Sequence, residues 1–241
     1  MDLTIRMLPI ALPVLFWAVY HYQKDRALPE PLPNLLLCFV LGLAAAGISR
    51  LMYLGLEPLG LRLDAVALAD GHPWQLFAYA MLAIGPIEEL AKMLPFLLVV
   101  LRFKSLDEPL DGIIYASLIG LGYAAAENYH YLDFLTPLES IARGFAAPVI
   151  HILFASIWAH WITRAWLKRH SIVLPTLAGF TIAASLHGLY DFMVLLHPVT
   201  ALPLAAAMIV VIWIWRLRLI RRMQSEAPCA PDGDGGDQPR S

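Results

Sequence analysis

Apolar residues run along this chain in blocks near the length of a bilayer crossing, and short polar or proline-bearing stretches close each block. A helix rises about 1.5 Å per residue, so about 20 apolar residues cross the hydrocarbon core. A window of that length places seven spans, near 4–22, 33–54, 74–101, 110–131, 144–166, 172–196 and 200–217. The pattern predicts an all-α fold, a polytopic transmembrane helical bundle of about seven spans. The first loop is punctuated by Pro29, Pro31 and Pro33 and reads as extended. The loop from Gly55 to Pro73 is the longest and most acidic, with Glu57, Asp64 and Asp70 against Arg62. Residues 1–223 are expected to form a single integral membrane domain without an internal repeat. Residues 224–241, rich in Pro, Gly and Asp, read as a disordered tail.

Composition agrees with the pattern. Of 241 residues, 59% are hydrophobic and 15% charged, against about 25% charged in a soluble domain. The net charge of −2 gives no reason to expect nucleic acid as a partner, and leaves the lipid bilayer as the evident one. Cys38 lies mid-helix and Cys229 in the tail, so they provide no disulfide framework. Asp2 offsets Arg6, and no small-x-small cleavage site precedes His21-Tyr22-Gln23-Lys24, so the first apolar block reads as an uncleaved span. Basic residues alternate by side. Lys24 and Arg26, Arg102 and Lys104, Arg164, Lys168 and Arg169, and Arg216, Arg218, Arg221 and Arg222 follow the odd-numbered spans. The intervening loops hold only Arg50, Arg62 and Arg143. The positive-inside rule then sets the N-terminus outside and the C-terminus in the cytoplasm of a cell inner (plasma) membrane.

Against this apolar background a few polar residues stand out. Span three carries Glu88, Glu89 and Lys92 near its middle. Each ionised side chain at that depth costs about 2.5–3.5 kcal/mol on insertion scales, so three within two turns mark a functional site. Adjacent helical residues diverge by about 100°, so the two carboxylates cannot point at one spot. One faces a cavity, while Lys92 or a neighbouring helix holds the other. Pro86 and Pro95 can kink the helix around the pair. In span four, Gly112, Ala116, Gly120 and Ala124 form a small-residue stripe that permits close helix approach. Asn128 lies on that stripe and Glu127 beside it, so both face protein. Span five carries His151, and span six carries His187 and Asp191 one turn apart, where Asp191 can fix the tautomer of His187. His21, His72, His160, His170 and His197 fall at span ends or in loops and read as interfacial, without a role. Counted by helical rise, Glu88, Glu127, His151 and His187 lie between about 6 and about 20 Å from the outer ends of their spans. All fall in the outer half or near the midplane, and the inner half looks bare.

Carboxylates and imidazoles around a wet cavity can hydrolyse an amide. A carboxylate among apolar neighbours can act as a general base near neutral pH, taking a proton from the attacking water. A histidine can then stabilise the oxyanion and protonate the leaving amine. The sequence has no Gly-x-Ser-x-Gly, no evident Cys–His pairing and no His-Glu-x-x-His. No residue is therefore assigned to a metal, although glutamate and histidine from separate helices can still bind a divalent ion.

Four motifs in order resemble the PrsW family of intramembrane proteases, distant relatives of the CAAX prenyl endopeptidases. They are Glu88-Glu89-Leu90-Ala91-Lys92, Tyr123-Ala124-Ala125-Ala126-Glu127, His151, and His187-Gly188-Leu189-Tyr190-Asp191, supported by Asp111-Gly112 and Glu127-Asn128. Tyr123 stands where the family usually has Phe. The resemblance covers about 74–195. It implies a glutamic-type membrane endopeptidase that cuts a single-span membrane protein, an anti-sigma factor among the candidates, on its extracytoplasmic side. It implies catalytic roles for Glu88, Glu89, His151 and His187, with Glu88 favoured as base, and supporting roles for Lys92, Glu127, Asn128 and Asp191. Two other classes compete. A transporter or proton relay needs titratable groups on both sides of the midplane. A non-catalytic scaffold that binds a partner's transmembrane helix fits the small-residue stripe but not the buried charges.

Overall fold

Proline sets where most of the rods begin, because its missing N–H and fixed φ suit the first turn of a helix. In the computed structural model, which describes residues 3–24, 29–196 and 202–226, all regular structure is helical. Helix α1 covers Leu3–Lys24, and α2 covers Leu32–Leu56 with Pro33 in its first turn. A short α3 (Ala65–Gly71) follows, capped by Asp64, whose carboxylate accepts from the N–H groups of Val66 and Ala67. Next come α4 (Pro73–Tyr79) and α5 (Gly85–Leu98), joined by a π-turn over Ala80–Ile84. The long rods α6 (Pro109–Tyr131), α7 (Pro137–Leu167), α8 (Val173–Leu196) and α9 (Leu202–Glu226) complete the chain. Five helices among the described residues are long and apolar enough to cross a membrane: α2, α6, α7, α8 and α9. With α1 and the composite rod α4–π–α5, the bundle has seven rods.

Each expected span has its rod, with two differences in detail. Span three is three segments rather than one helix. The ring of Pro86 would clash with the carbonyl four residues back in a regular helix, and the widened π-turn accommodates it just before Glu88. Span five starts at Pro137 rather than 144, because Thr136 and Glu139 form a capping box that starts the helix early. Helix α9 runs to Glu226, and the rest of the tail lies outside the described residues, as do Arg26, His197 and Cys229.

Helix α6 is the hub, packed on α7, α2 and α1, and every residue from Leu110 to Ala125 on it is buried. The small-residue stripe has the expected effect: Gly112 meets the Thr163 side chain, and a Cβ at Gly120 would lie 2.8 Å from the His151 carbonyl oxygen. Gly122, off the stripe, lets α6 meet α2 at Phe39 and Gly42.

Two polar networks away from the Glu88 region, at the end of the bundle expected from the sequence to be the inner one, correct the expectation that this half is bare. His21 is buried, not interfacial: its Nδ1–H donates to the Trp17 carbonyl at 2.7 Å, and its Nε2 accepts from Arg216 at 2.9 Å. Arg216, itself buried, also donates to Ser156 at 2.9 Å and Ser117 at 3.0 Å, tying α1 and α9 to the α6–α7 pair. Near the start of α6, the Tyr115 hydroxyl donates to buried Glu30 and lies 2.5 Å from Ser105, which Asn34 joins at 3.0 Å. His160 is buried as well.

Candidate active site

The four chemically distinctive rods converge. Rod α5 brings Glu88, Glu89 and Lys92, α6 brings Glu127, α7 brings His151, and α8 brings His187 and Asp191. The two imidazole rings lie 5.2 Å apart in an edge-to-face arrangement. Close backbone approach makes this meeting feasible. Gly85 packs on the backbone of Ala184 and Gly188, and Gly188 packs on the carbonyl of Ala80, so α8 lies against the π-turn and the start of α5.

The two adjacent glutamates divide as the 100° offset requires. Glu89 is fully buried and held at both oxygens. Its Oε1 accepts from Lys92 at 2.5 Å and from His187 Nδ1 at 2.7 Å, and its Oε2 accepts from the Trp158 indole at 2.9 Å. Glu88 is the opposite case. Its Oε1 meets only the Tyr53 hydroxyl, at 3.4 Å, and its Oε2 is buried without a hydrogen-bond partner. That free oxygen lies 3.6 Å from His187 Nε2.

These contacts fix the imidazole tautomers. Lys92, a donor only, lies 3.0 Å from His151 Nδ1, so Nδ1 accepts and Nε2–H donates to Glu127 at 2.9 Å. His187 gives its Nδ1–H to Glu89, which leaves the Nε2 lone pair turned toward Glu88 and Asp191. The expectation that Asp191 orients His187 is corrected here. Asp191 stands 3.5 Å from Nε2, while Glu89 makes the short bond to Nδ1. The i, i+4 spacing brought Asp191 near, but a neighbouring helix supplied the stronger acceptor.

Glu127 is held at the rim. It bridges His151 and Arg143, with its Oε1 2.8 Å from the guanidinium. Asn128 is buried as expected, and neither of its amide atoms has a partner. Sequence reasoning missed Trp158, Tyr53 and Arg143. It also missed what Tyr123 does beyond the motif: its ring lies under Lys92 at 5.0 Å and beside His151 at 4.9 Å, and its hydroxyl donates to Ser49 at 2.9 Å.

The donor set fits a divalent cation in most respects. Glu88, His151 and His187 each offer an atom within 4.8 Å of the others, and all three residues are buried. Glu88 Oε2 lacks a protein partner, and His187 is backed by a carboxylate on its other nitrogen, as metal-bound histidines usually are. Among the described residues, the carboxylates Glu88, Glu89, Glu127 and Asp191 face only Lys92 and Arg143 as fixed cations, so the cluster carries surplus negative charge when its acids are ionised. His151 is the less ready ligand, since both of its nitrogens are already engaged.

Comparison with known proteins agrees with this geometry. The chain is 29% identical over 176 residues to Protease PrsW of Geobacillus kaustophilus, covering 73% of each chain. It is 27% identical over 212 residues to Protease PrsW of Clostridioides difficile, covering 84% of each. It is 27% identical over 214 residues to Protease PrsW of Oceanobacillus iheyensis, covering 87% of this chain and 92% of that one. No solved structure matches. Residues 30–216 match the family model described as PrsW family intramembrane metalloprotease, a stretch that contains every residue of the cluster, and the chain therefore belongs to the PrsW family.

Proposed function

We propose that this multi-pass membrane peptidase uses Glu88 as the general base that activates water, with His187 as the proton carrier. The observation that carries this reading is the contrast within one dipeptide: Glu88 Oε2 is buried and unpaired, whereas Glu89 is bonded at both oxygens. A water between Glu88 Oε2 and His187 Nε2 would donate to both acceptors and present a lone pair to a peptide carbonyl. Glu88 takes the proton as the carbon–oxygen bond forms. It passes that proton across the 3.6 Å gap to His187 Nε2, which delivers it to the amine nitrogen as the carbon–nitrogen bond breaks, while Glu89 stabilises the transient imidazolium through Nδ1. His151, polarised by Lys92, supports the oxyanion by turning its Nε2–H from Glu127 to the substrate oxygen, Glu127 with Arg143 closes the rim, and Asn128 and Asp191 line it.

The substrate proposed is a membrane-anchored single-span protein of the anti-sigma-factor type. The cut falls on its extracytoplasmic side, in a plasma membrane where this chain's N-terminus lies outside. The distribution of basic residues supports that orientation. A divalent metal is the second reading, favoured by the Glu88, His151 and His187 donors and by the family's description. When bound there, a cation supplies Lewis acidity toward carbonyl and water.

The test is a proteome comparison of cells carrying the wild-type chain or Glu88→Gln, searching for one membrane protein left uncut. That protein, co-expressed with Glu88→Gln or His187→Ala, should stay intact while both variants insert normally. Normal processing by both variants would overturn the proposal. Loss of activity in a chelator, with recovery on adding zinc, would select the metal-assisted route.

A further inference from the structure

Trp158 hydrogen-bonds the buried carboxylate of Glu89, behind His187. Its indole is fully buried, and Nε1–H donates to Glu89 Oε2 at 2.9 Å. It is the only group bonded to that oxygen among the described residues, since Lys92 and His187 share Oε1. The indole cannot drift. Phe96 packs against it edge-on with ring centroids 5.2 Å apart, and a Cβ at Gly179 of α8 would lie 2.8 Å from the Trp158 Cα.

A carboxylate held by one oxygen can rotate about its terminal bond, because that torsion is broad. A donor on the second oxygen removes this freedom. An indole N–H only donates, so it fixes the plane without competing for the proton that His187 carries. We infer that Trp158 is a positioning residue for peptide hydrolysis: it locks the Glu89 carboxylate plane so that Glu89 presents His187 with Nε2 toward Glu88. This inference rests on the roles proposed above for Glu88 and His187.

The test uses the full-length chain in proteoliposomes, with the single-span substrate found by the proteome comparison. Trp158→Phe keeps an aromatic ring but removes the donor together with the pyrrole half of the indole. A hydrogen bond to a charged group, once lost, corresponds to about tenfold or more in rate. The expected result is kcat lower by about tenfold, KM within about twofold, a lowered melting temperature and a displaced pH–kcat profile. Phe96→Leu disturbs the same packing but leaves the N–H in place. It should lower the melting temperature and keep the wild-type pH profile. A Trp158→Phe enzyme with unchanged kcat and pH profile overturns the inference. Activity losses in the two variants that simply track their melting temperatures overturn it too.

A second readout needs no turnover. With ¹⁵N-labelled tryptophan, the Trp158 indole signal, assigned by its contact with the Phe96 ring, should move upfield on Glu89→Gln; an unmoved signal overturns the inference. That readout decides if Trp158→Phe does not fold. A wild-type chain that fails to cleave would instead count against the proposed function and leave the indole result standing.

Discussion

At the scale of single residues, adjacent glutamates with opposite environments should fail in opposite ways. Glu88→Gln changes a side chain whose Oε2 has no partner, so the fold should survive it. Cleavage should fall by about a thousandfold or more, the loss expected when a general base and its electrostatic support go together. Glu89→Gln removes the only anion bonded to buried Lys92 among the described residues, and an uncompensated buried charge costs about 3–5 kcal/mol. That variant should therefore lose stability as well as activity. Thermal unfolding in detergent, run beside the cleavage assay, separates the two; equal melting temperatures for both variants would contradict this division. The sequence made this site readable because acids and a lysine are so costly inside an apolar run that chance hardly places them there. Trp158, Tyr53 and Arg143 were not readable for the opposite reason. Aromatic residues and interfacial arginines are ordinary in membrane helices. Their roles depend on which helix faces meet, and three-dimensional packing decides that.

Among the helices, the arrangement of α4, the π-turn and α5 shows how local sequence and packing share the work. Pro86 was visible as a disturbance, but the kind of disturbance was not. A kink and a π-turn both relieve a missing N–H, and the choice follows from α8 pressing on Ala80 and Met81 through Gly188. A side chain at Gly188 would run into the Ala80 carbonyl, so Gly188→Ala must push α8 away from the turn. Overpacking of this kind costs about 1–3 kcal/mol and should also separate His187 from Glu88, lowering both melting temperature and cleavage. Gly47, with open space around its Cβ position, is the control, and Gly47→Ala should alter neither. The α1–α9 contact supplies a second test. His21→Ala leaves Arg216, already buried with an unpaired Nη1, short of one more acceptor. An unmade buried hydrogen bond costs about 1–3 kcal/mol, more when charged. The melting temperature should fall while kcat of the remaining folded enzyme stays unchanged. His21 was misjudged because it lies near the end of its span; only the fold reveals that a residue on α9 reaches across to it.

For the molecule as a whole, the open question is which end of the bundle faces outward, because that determines which part of a substrate can reach Glu88. The described basic residues support the orientation proposed above. Arg102 and Lys104 after α5, Arg164 to Arg169 at the end of α7, and Arg218 to Arg222 on α9 gather at one end. At the other end, Arg62 is paired with Glu57 at 2.8 Å and Arg143 with Glu127 at 2.8 Å, so two of its three arginines are neutralised locally. Lysine and arginine near span ends are held back on the cytoplasmic face. The proposed orientation would put the rim of the cluster, Glu127 with Arg143, toward the extracytoplasmic side. Cysteine labelling in intact cells can check this, starting from a Cys38→Ala, Cys229→Ser background. Leu61→Cys, exposed between α2 and α3, should react with a membrane-impermeant maleimide. Arg169→Cys, exposed between α7 and α8, should react only after the cells are permeabilised. The reverse pattern would move the proposed cut to the cytoplasmic side and remove the case for an extracytoplasmic substrate segment.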